Sequence, residues 1–132
     1  MKSGVSIVDD DPSVREGILD LLSSLDFITE AFTRAEDFLK SSRLQTTFCL
    51  IADVQMPGMT GLELYNRLVS SGTAIPTILI TAFPNEADRA RALRDGVFCY
   101  LTKPVNEVEL LACIRSAARH RQTEEKQNHE GS

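Results

Sequence analysis

No apolar run in these 132 residues approaches the roughly 20 that would cross a bilayer, and no signal-peptide pattern opens the chain. Neither a membrane span nor a secretory leader is therefore expected. Basic residues are also in short supply. Fourteen Lys and Arg against 19 Asp and Glu leave a net charge of -5, which argues against gripping nucleic acid through a broad cationic face. The cysteines, Cys49, Cys99 and Cys113, are few and odd in number, each among apolar neighbours. They read as small core residues in a reducing cytoplasm, not as a disulfide framework or metal ligands. There is no internal repeat, no low-complexity block and no glycine-rich loop that would cradle a phosphate with backbone donors. His120 and His129 fall in a polar C-terminal stretch, and neither is expected to carry a phosphoryl group. What remains is an ordinary globular composition, 42% hydrophobic and 25% charged, at a length that suits one sheet and its covering helices.

Within that composition, four apolar runs each end on a polar residue that a buried strand would exclude. Val5–Val8 runs into Asp9, Asp10 and Asp11, and Phe48–Ala52 stops at Asp53. Ile78–Ile80 stops at Thr81, and Val97–Thr102 stops at Lys103 and Pro104. Between them lie segments of helical period. Val14, Ile18, Leu21, Leu22 and Leu25 form an amphipathic stripe, opened by Pro12 with Asp11 as N-cap. Assigning Asp11 to the cap leaves Asp9 and Asp10 in the loop at the strand end. Phe27–Phe32 is a weaker strand, and Ala35–Leu39 a second helix. Gly61–Leu68 is a third, with Leu62, Tyr65 and Leu68 on one side. Asn85–Asp95 is a fourth, closed by Gly96. Its apolar face is only Ala87, Ala90 and Leu93, so weak anchoring is expected. Asn106 to about Arg119 is the fifth, with the residues beyond it expected to fray.

Strands alternating with helices imply a parallel sheet covered on both faces, wound by right-handed crossovers. The expected fold is α/β, a flavodoxin-like doubly wound (βα)5 sandwich of strand order 2-1-3-4-5. That order reverses between strands one and three, where such sheets place their ligands. Asp9, Asp10 and Asp53 would then face each other across the crevice, with Thr81 and Lys103 arriving on the same edge.

Carboxylates about 4 Å apart repel by roughly 4 kcal/mol per pair at an effective dielectric near 20, so the cluster needs a cation or protons. An all-oxygen donor set without His or Cys favours Mg2+ over zinc. Lys103 offers a point charge and Thr81 a hydroxyl to phosphate oxygens, and Asp53 is placed as a carboxylate nucleophile.

Val8-Asp9-Asp10, Asp53-x-x-Met56-Pro57-Gly58-x-x-Gly61, Thr81-Ala82 and Lys103-Pro104 together resemble the response-regulator receiver domains of two-component signalling. The resemblance covers about residues 4 to 118. Its wording around residues 56–61 is most similar to receivers of the nitrogen-fixation and nitrate-response regulator type. It implies a receiver domain over residues 1–120, followed by a polar, disordered tail over 121–132. It implies Asp53 as phospho-acceptor, with Asp10 a direct Mg2+ ligand, Asp9 assisting through water, and the backbone carbonyl of Gln55 completing the set. Thr81 and Tyr100 would be the switch pair and Lys103 the phosphate-binding lysine, followed by a cis peptide to Pro104. Phe83 departs from the small or polar residues frequent at its position and is a candidate modulator of phosphoryl lifetime.

The implied partner is a sensor histidine kinase or phosphotransfer protein. The implied output is a switched face of helix four, strand five and helix five, which carries Arg89, Arg91, Arg94 and Arg115 and could also pair two copies. Direct nucleic-acid binding by this domain and membrane association are not expected, and the location is cytoplasmic. A stand-alone receiver is the first expectation, and the receiver half of a DNA-binding regulator the alternative. Three rivals fare worse. An aspartyl-phosphate phosphatase would need a second Asp where Gln55 stands, plus a cap domain. A flavin or nucleotide module would need a donor-rich loop where three aspartates stand. A degenerate receiver would not keep Asp53, Asp9, Asp10 and Lys103 together. The chain is thus not expected to be an enzyme beyond its own slow phosphorylation and dephosphorylation.

Overall fold

The computed structural model describes the backbone of residues 4–130 and side chains to residue 120. The elements run β1 (Gly4–Val8), α1 (Pro12–Ser23), β2 (Ile28–Phe32), α2 (Ala35–Lys40), a 3-10 turn (Ser42–Gln45) and β3 (Thr47–Asp53). They continue α3 (Gly61–Ser70), β4 (Thr77–Thr81), α4 (Glu86–Asp95), β5 (Cys99–Thr102) and α5 (Glu107–Glu130). The five strands form one parallel sheet of order β2-β1-β3-β4-β5. This is the expected flavodoxin-like order. β1, β3 and β4 are buried along their whole length, which is why they read as continuous apolar runs without alternation. β2, on one edge, is only half-buried and gave the weakest strand signal.

Two apolar cores lie on opposite faces. α2, α3 and α4 cover one through Phe38, Leu64, Tyr65, Leu68 and Ala92, packed on Val8, Leu50, Ala52 and Leu79. α1 and α5 cover the other through Ile18, Leu22, Leu110, Ile114 and Ala117, packed on Val5, Ile7, Ile51, Ile78 and Ile80. Local chemistry fixes the helix starts. Asp11 caps α1 by accepting from the Ser13 N–H at 2.9 Å, with Pro12 at the first position. Thr60 and Glu63 form a reciprocal capping box on α3, and Asn85 caps α4 through the Asp88 N–H at 3.1 Å. Gly96 ends α4 at φ 109°, where a Cβ would be strained and would lie 2.5 Å from the Tyr65 hydroxyl.

Two local expectations are corrected. The buried residue of α4 is Ala92, while Ala87, Ala90 and Leu93 face outward, because the helix packs through the row that also carries half-buried Asp88. Weak anchoring stands, on a different row. Helix five does not stop near Arg119 but continues to Glu130. Residues 121–127 include Gln, Glu and Lys, good helix formers, so an established helix propagates through them without an apolar stripe. No helix among the described residues is long and apolar enough to cross a membrane.

Candidate functional site

Strand register brings the expected residues together. Val8 pairs with Ala52, so Asp9 emerges from β1 level with Asp53 at the end of β3. Thr81 pairs with Thr102, so Lys103 leaves β5 one step beyond β4 on the same edge. Asp9 is fully buried, Asp53 is 5% exposed, and Asp10 is open to solvent. One carboxylate oxygen from each of the three lies within 4.8 Å of the others.

The two buried acids are oriented alike. Asp9 Oδ1 accepts the Asp11 N–H at 2.8 Å, and Asp53 Oδ1 accepts the Gln55 N–H at 3.1 Å. Each carboxylate thus turns one oxygen back onto the backbone two residues on, an Asx turn, and keeps Oδ2 for the crevice. Lys103 reaches both: Nζ lies 3.0 Å from Asp9 Oδ2 and donates to Asp53 Oδ2 at 3.2 Å. The contact to Asp9 is a charge pair out of hydrogen-bonding alignment, so that oxygen is buried without a hydrogen bond. Burial, joined by the Asp9 charge, pushes the Asp53 carboxyl above its usual range, although the Gln55 N–H and Lys103 pull the other way. Burial works against the Lys103 ammonium, but its contacts with Asp9 and Asp53 outweigh that and push it up. One cation among three carboxylates leaves the site short of positive charge. Together with the unsatisfied Asp9 Oδ2 and an all-oxygen donor set, that deficit fits a hard divalent cation such as Mg2+.

Thr81 is fully buried beside this cluster. Its Oγ1 accepts the Phe83 N–H at 3.0 Å and approaches Gln55 Oε1 at 3.5 Å. The Phe83 ring is 72% exposed. Tyr100 is half-buried on the α4 side and lines a cavity of about 270 Å3 with Pro84, Asn85, Glu86, Arg89 and Thr102. Burial raises its hydroxyl pKa, with Asp88 and Glu86 adding to the effect. The Lys103–Pro104 peptide is cis.

Two residues escaped the sequence reading. The Arg15 guanidinium donates to the Asp9 carbonyl at 2.7 Å, pinning the β1–α1 loop, and an arginine within an amphipathic stripe carries no signal of that contact. Gly61 opens α3 so close to the end of β3 that a Cβ there would collide with the Asp53 carbonyl oxygen and lie 3.0 Å from Leu79. The glycine itself was visible within the motif, but its contact was not.

The response regulator receiver domain family matches residues 5–115. The chain belongs to that family. This receiver is 35% identical over 127 residues to the transcriptional regulatory protein TdiR of Thauera aromatica, covering 96% of this chain and 56% of that protein. It superposes on the response regulator StyR with a TM-score of 0.85 and 39% identity, over 98% of this chain and 67% of that one. The crystal structure of FixJ-N matches with a TM-score of 0.79 and 28% identity, covering 91% and 96% respectively. The receiver spans about half the length of curated relatives such as TdiR.

Proposed function

We propose that Asp53 accepts a phosphoryl group from a phosphohistidine on a sensor kinase or phosphotransfer protein. Asp53 Oδ2 would form the new O–P bond as the P–N bond breaks and the donor imidazole leaves. The observation that carries this reading is the near-buried Asp53, 3.2 Å from Lys103 Nζ, within an acidic trio at the sheet edge. Asp10, Asp9, Asp53 and the Gln55 carbonyl are the proposed Mg2+ holders. Bound there, Mg2+ would supply Lewis-acid stabilisation of charge on the transferring group. Lys103 would neutralise a phosphoryl oxygen, and Thr81 would donate its hydroxyl to another.

Phosphorylation adds about 1.5 to 2 negative charges beside Thr81 and Lys103. Thr81 moving toward that charge would give up the Phe83 N–H, and Tyr100, half-buried at the mouth of its cavity, would turn into the space left. The surface formed by α4, β5 and α5 would then repack as the output face, whether for a partner or a second copy. A cytoplasmic setting goes with such a donor. An output domain beyond this receiver is the second reading, favoured by the name and greater length of TdiR, and the acceptor chemistry is the same in both.

Incubation with a small phosphodonor and Mg2+, followed by intact mass, tests the acceptor. A phosphoryl adduct on wild type but not on Asp53→Asn is expected, and an adduct on both removes the assignment. Followed in time, the same assay reads Phe83. If its exposed ring screens the adduct from water, Phe83→Ala shortens the half-life, and an unchanged decay removes that role.

A further inference from the structure

Asp9 and Asp53 each rest one carboxylate oxygen on a backbone N–H, but Asp10 has no such turn. Among the described residues, no hydrogen bond or ion pair reaches its carboxylate, which is open to solvent. The aim of Asp10 therefore rests on its backbone. A peptide unit is planar and turns as one piece, so the two planes flanking Asp10 set the direction of its Cβ. The plane between Asp10 and Asp11 is held by the Asp11 N–H, which donates to Asp9 Oδ1 at 2.8 Å. The plane between Asp9 and Asp10 is held at its oxygen, where the Asp9 carbonyl accepts from Arg15 Nη1 at 2.7 Å. Arg15 stands one turn into α1, its own N–H bonded to the carbonyl of the Asp11 cap at 3.1 Å. Helical side chains lean toward the N-terminus, which carries this one back over the loop.

Taking the acidic trio as the Mg2+ holders, we propose that Arg15 is a positioning residue that presets Asp10 as a ligand through the Asp9 carbonyl. Asp9 is fully buried, so its carbonyl without the guanidinium would lose this donor, and the plane would turn to find another. Asp10 would then sample directions away from Asp9 and Asp53. An incoming ion would have to order that motion itself, so affinity for Mg2+ would fall while Asp53 and Lys103 keep their own contacts. The three acids are thus aimed by two devices: side-chain turns for Asp9 and Asp53, and a pinned peptide for Asp10.

Calorimetric titration of the full chain with Mg2+ alone tests this on wild type, Arg15→Met and Arg15→Lys, each first checked for native circular dichroism. Methionine keeps an apolar stem without donor or charge, and lysine keeps a donor for the same carbonyl. Arg15→Met should raise the Mg2+ Kd by about 10-fold or more, the loss typical when the outer partners of metal ligands are removed. Arg15→Lys should recover most of it. The gap between wild type and Arg15→Met should persist in high salt, which screens a remote charge but not a fixed peptide. With a small phosphodonor, Arg15→Met should shift the Mg2+ needed for half-maximal uptake more than the rate at saturation. If Arg15→Met does not fold, Arg15→Gln, which loses charge and reach, gives the same comparison. An unchanged Kd, or a gap that vanishes in salt, would overturn the positioning role while leaving the metal assignment intact. A wild type that binds no Mg2+ would remove that assignment, and this role with it.

Discussion

Removing the charge at position 53 should stabilise the metal-free chain. Asp53 shares its crevice with Asp9 and Asp10, and Lys103 offsets only part of their charge. An acid held above its ordinary value, as Asp53 is, costs stability while ionised. That cost is full at neutral pH and fades as pH falls through the raised value toward the ordinary one, about 3.9. Asp53→Asn should therefore raise Tm at neutral pH, with the gap closing in acid. Parallel melts across that range check the sign, and a gap that widens in acid contradicts it. Gly61→Ala should act oppositely. A methyl pressed on the Asp53 carbonyl and Leu79 forces α3 or the end of β3 to move, at about 1–3 kcal/mol by urea melts and with weaker phosphoryl uptake. The carboxylate at the end of β3 was legible because an acid closing an apolar run has no use in a core. Its turn back onto the Gln55 N–H was not, since that depends on the backbone path beyond the strand.

At the scale of elements, α4 is the one held most lightly. Only Ala92 is buried, and its first turn hangs on the Asn85 cap. With so little apolar area committed, α4 should open more readily than α3, which buries Leu64, Tyr65 and Leu68. Amide exchange across residues 85–100 should change on adding a phosphoryl analogue with Mg2+, while α3 stays constant; equal protection in both states would remove α4 as the moving part. The weakness of this helix could be read from its alanines, but the row it buries could not. Ala87, Ala90 and Leu93 have the right spacing, and only the approach of α4 to β5 turns them outward. The reach of α5 was likewise hidden, because apolar periodicity ends where the polar helix continues.

For the molecule as a whole, the parallel sheet decides where chemistry occurs, because every strand delivers its carboxyl end to the same edge. Alternating apolar runs and helical stripes made that topology readable, and with it the meeting of Asp9, Asp53, Thr81 and Lys103. A cation bound at that edge only in the folded state must stabilise the entire domain. At 100 times its Kd, Mg2+ should add about 2.7 kcal/mol, reversed by a chelator and diminished in Asp53→Asn. Tm followed over a magnesium series checks this, and an unmoved Tm means that the trio does not hold the ion.

The paired backbone turns at Asp9 and Asp53 carry a consequence for what the domain can react with. Because each anchors one oxygen in its own loop, the other is aimed before any donor arrives. Alignment is settled while the chain folds, so an incoming molecule need contribute no orienting groups of its own, and an acyl phosphate of a few atoms should serve where a whole kinase would.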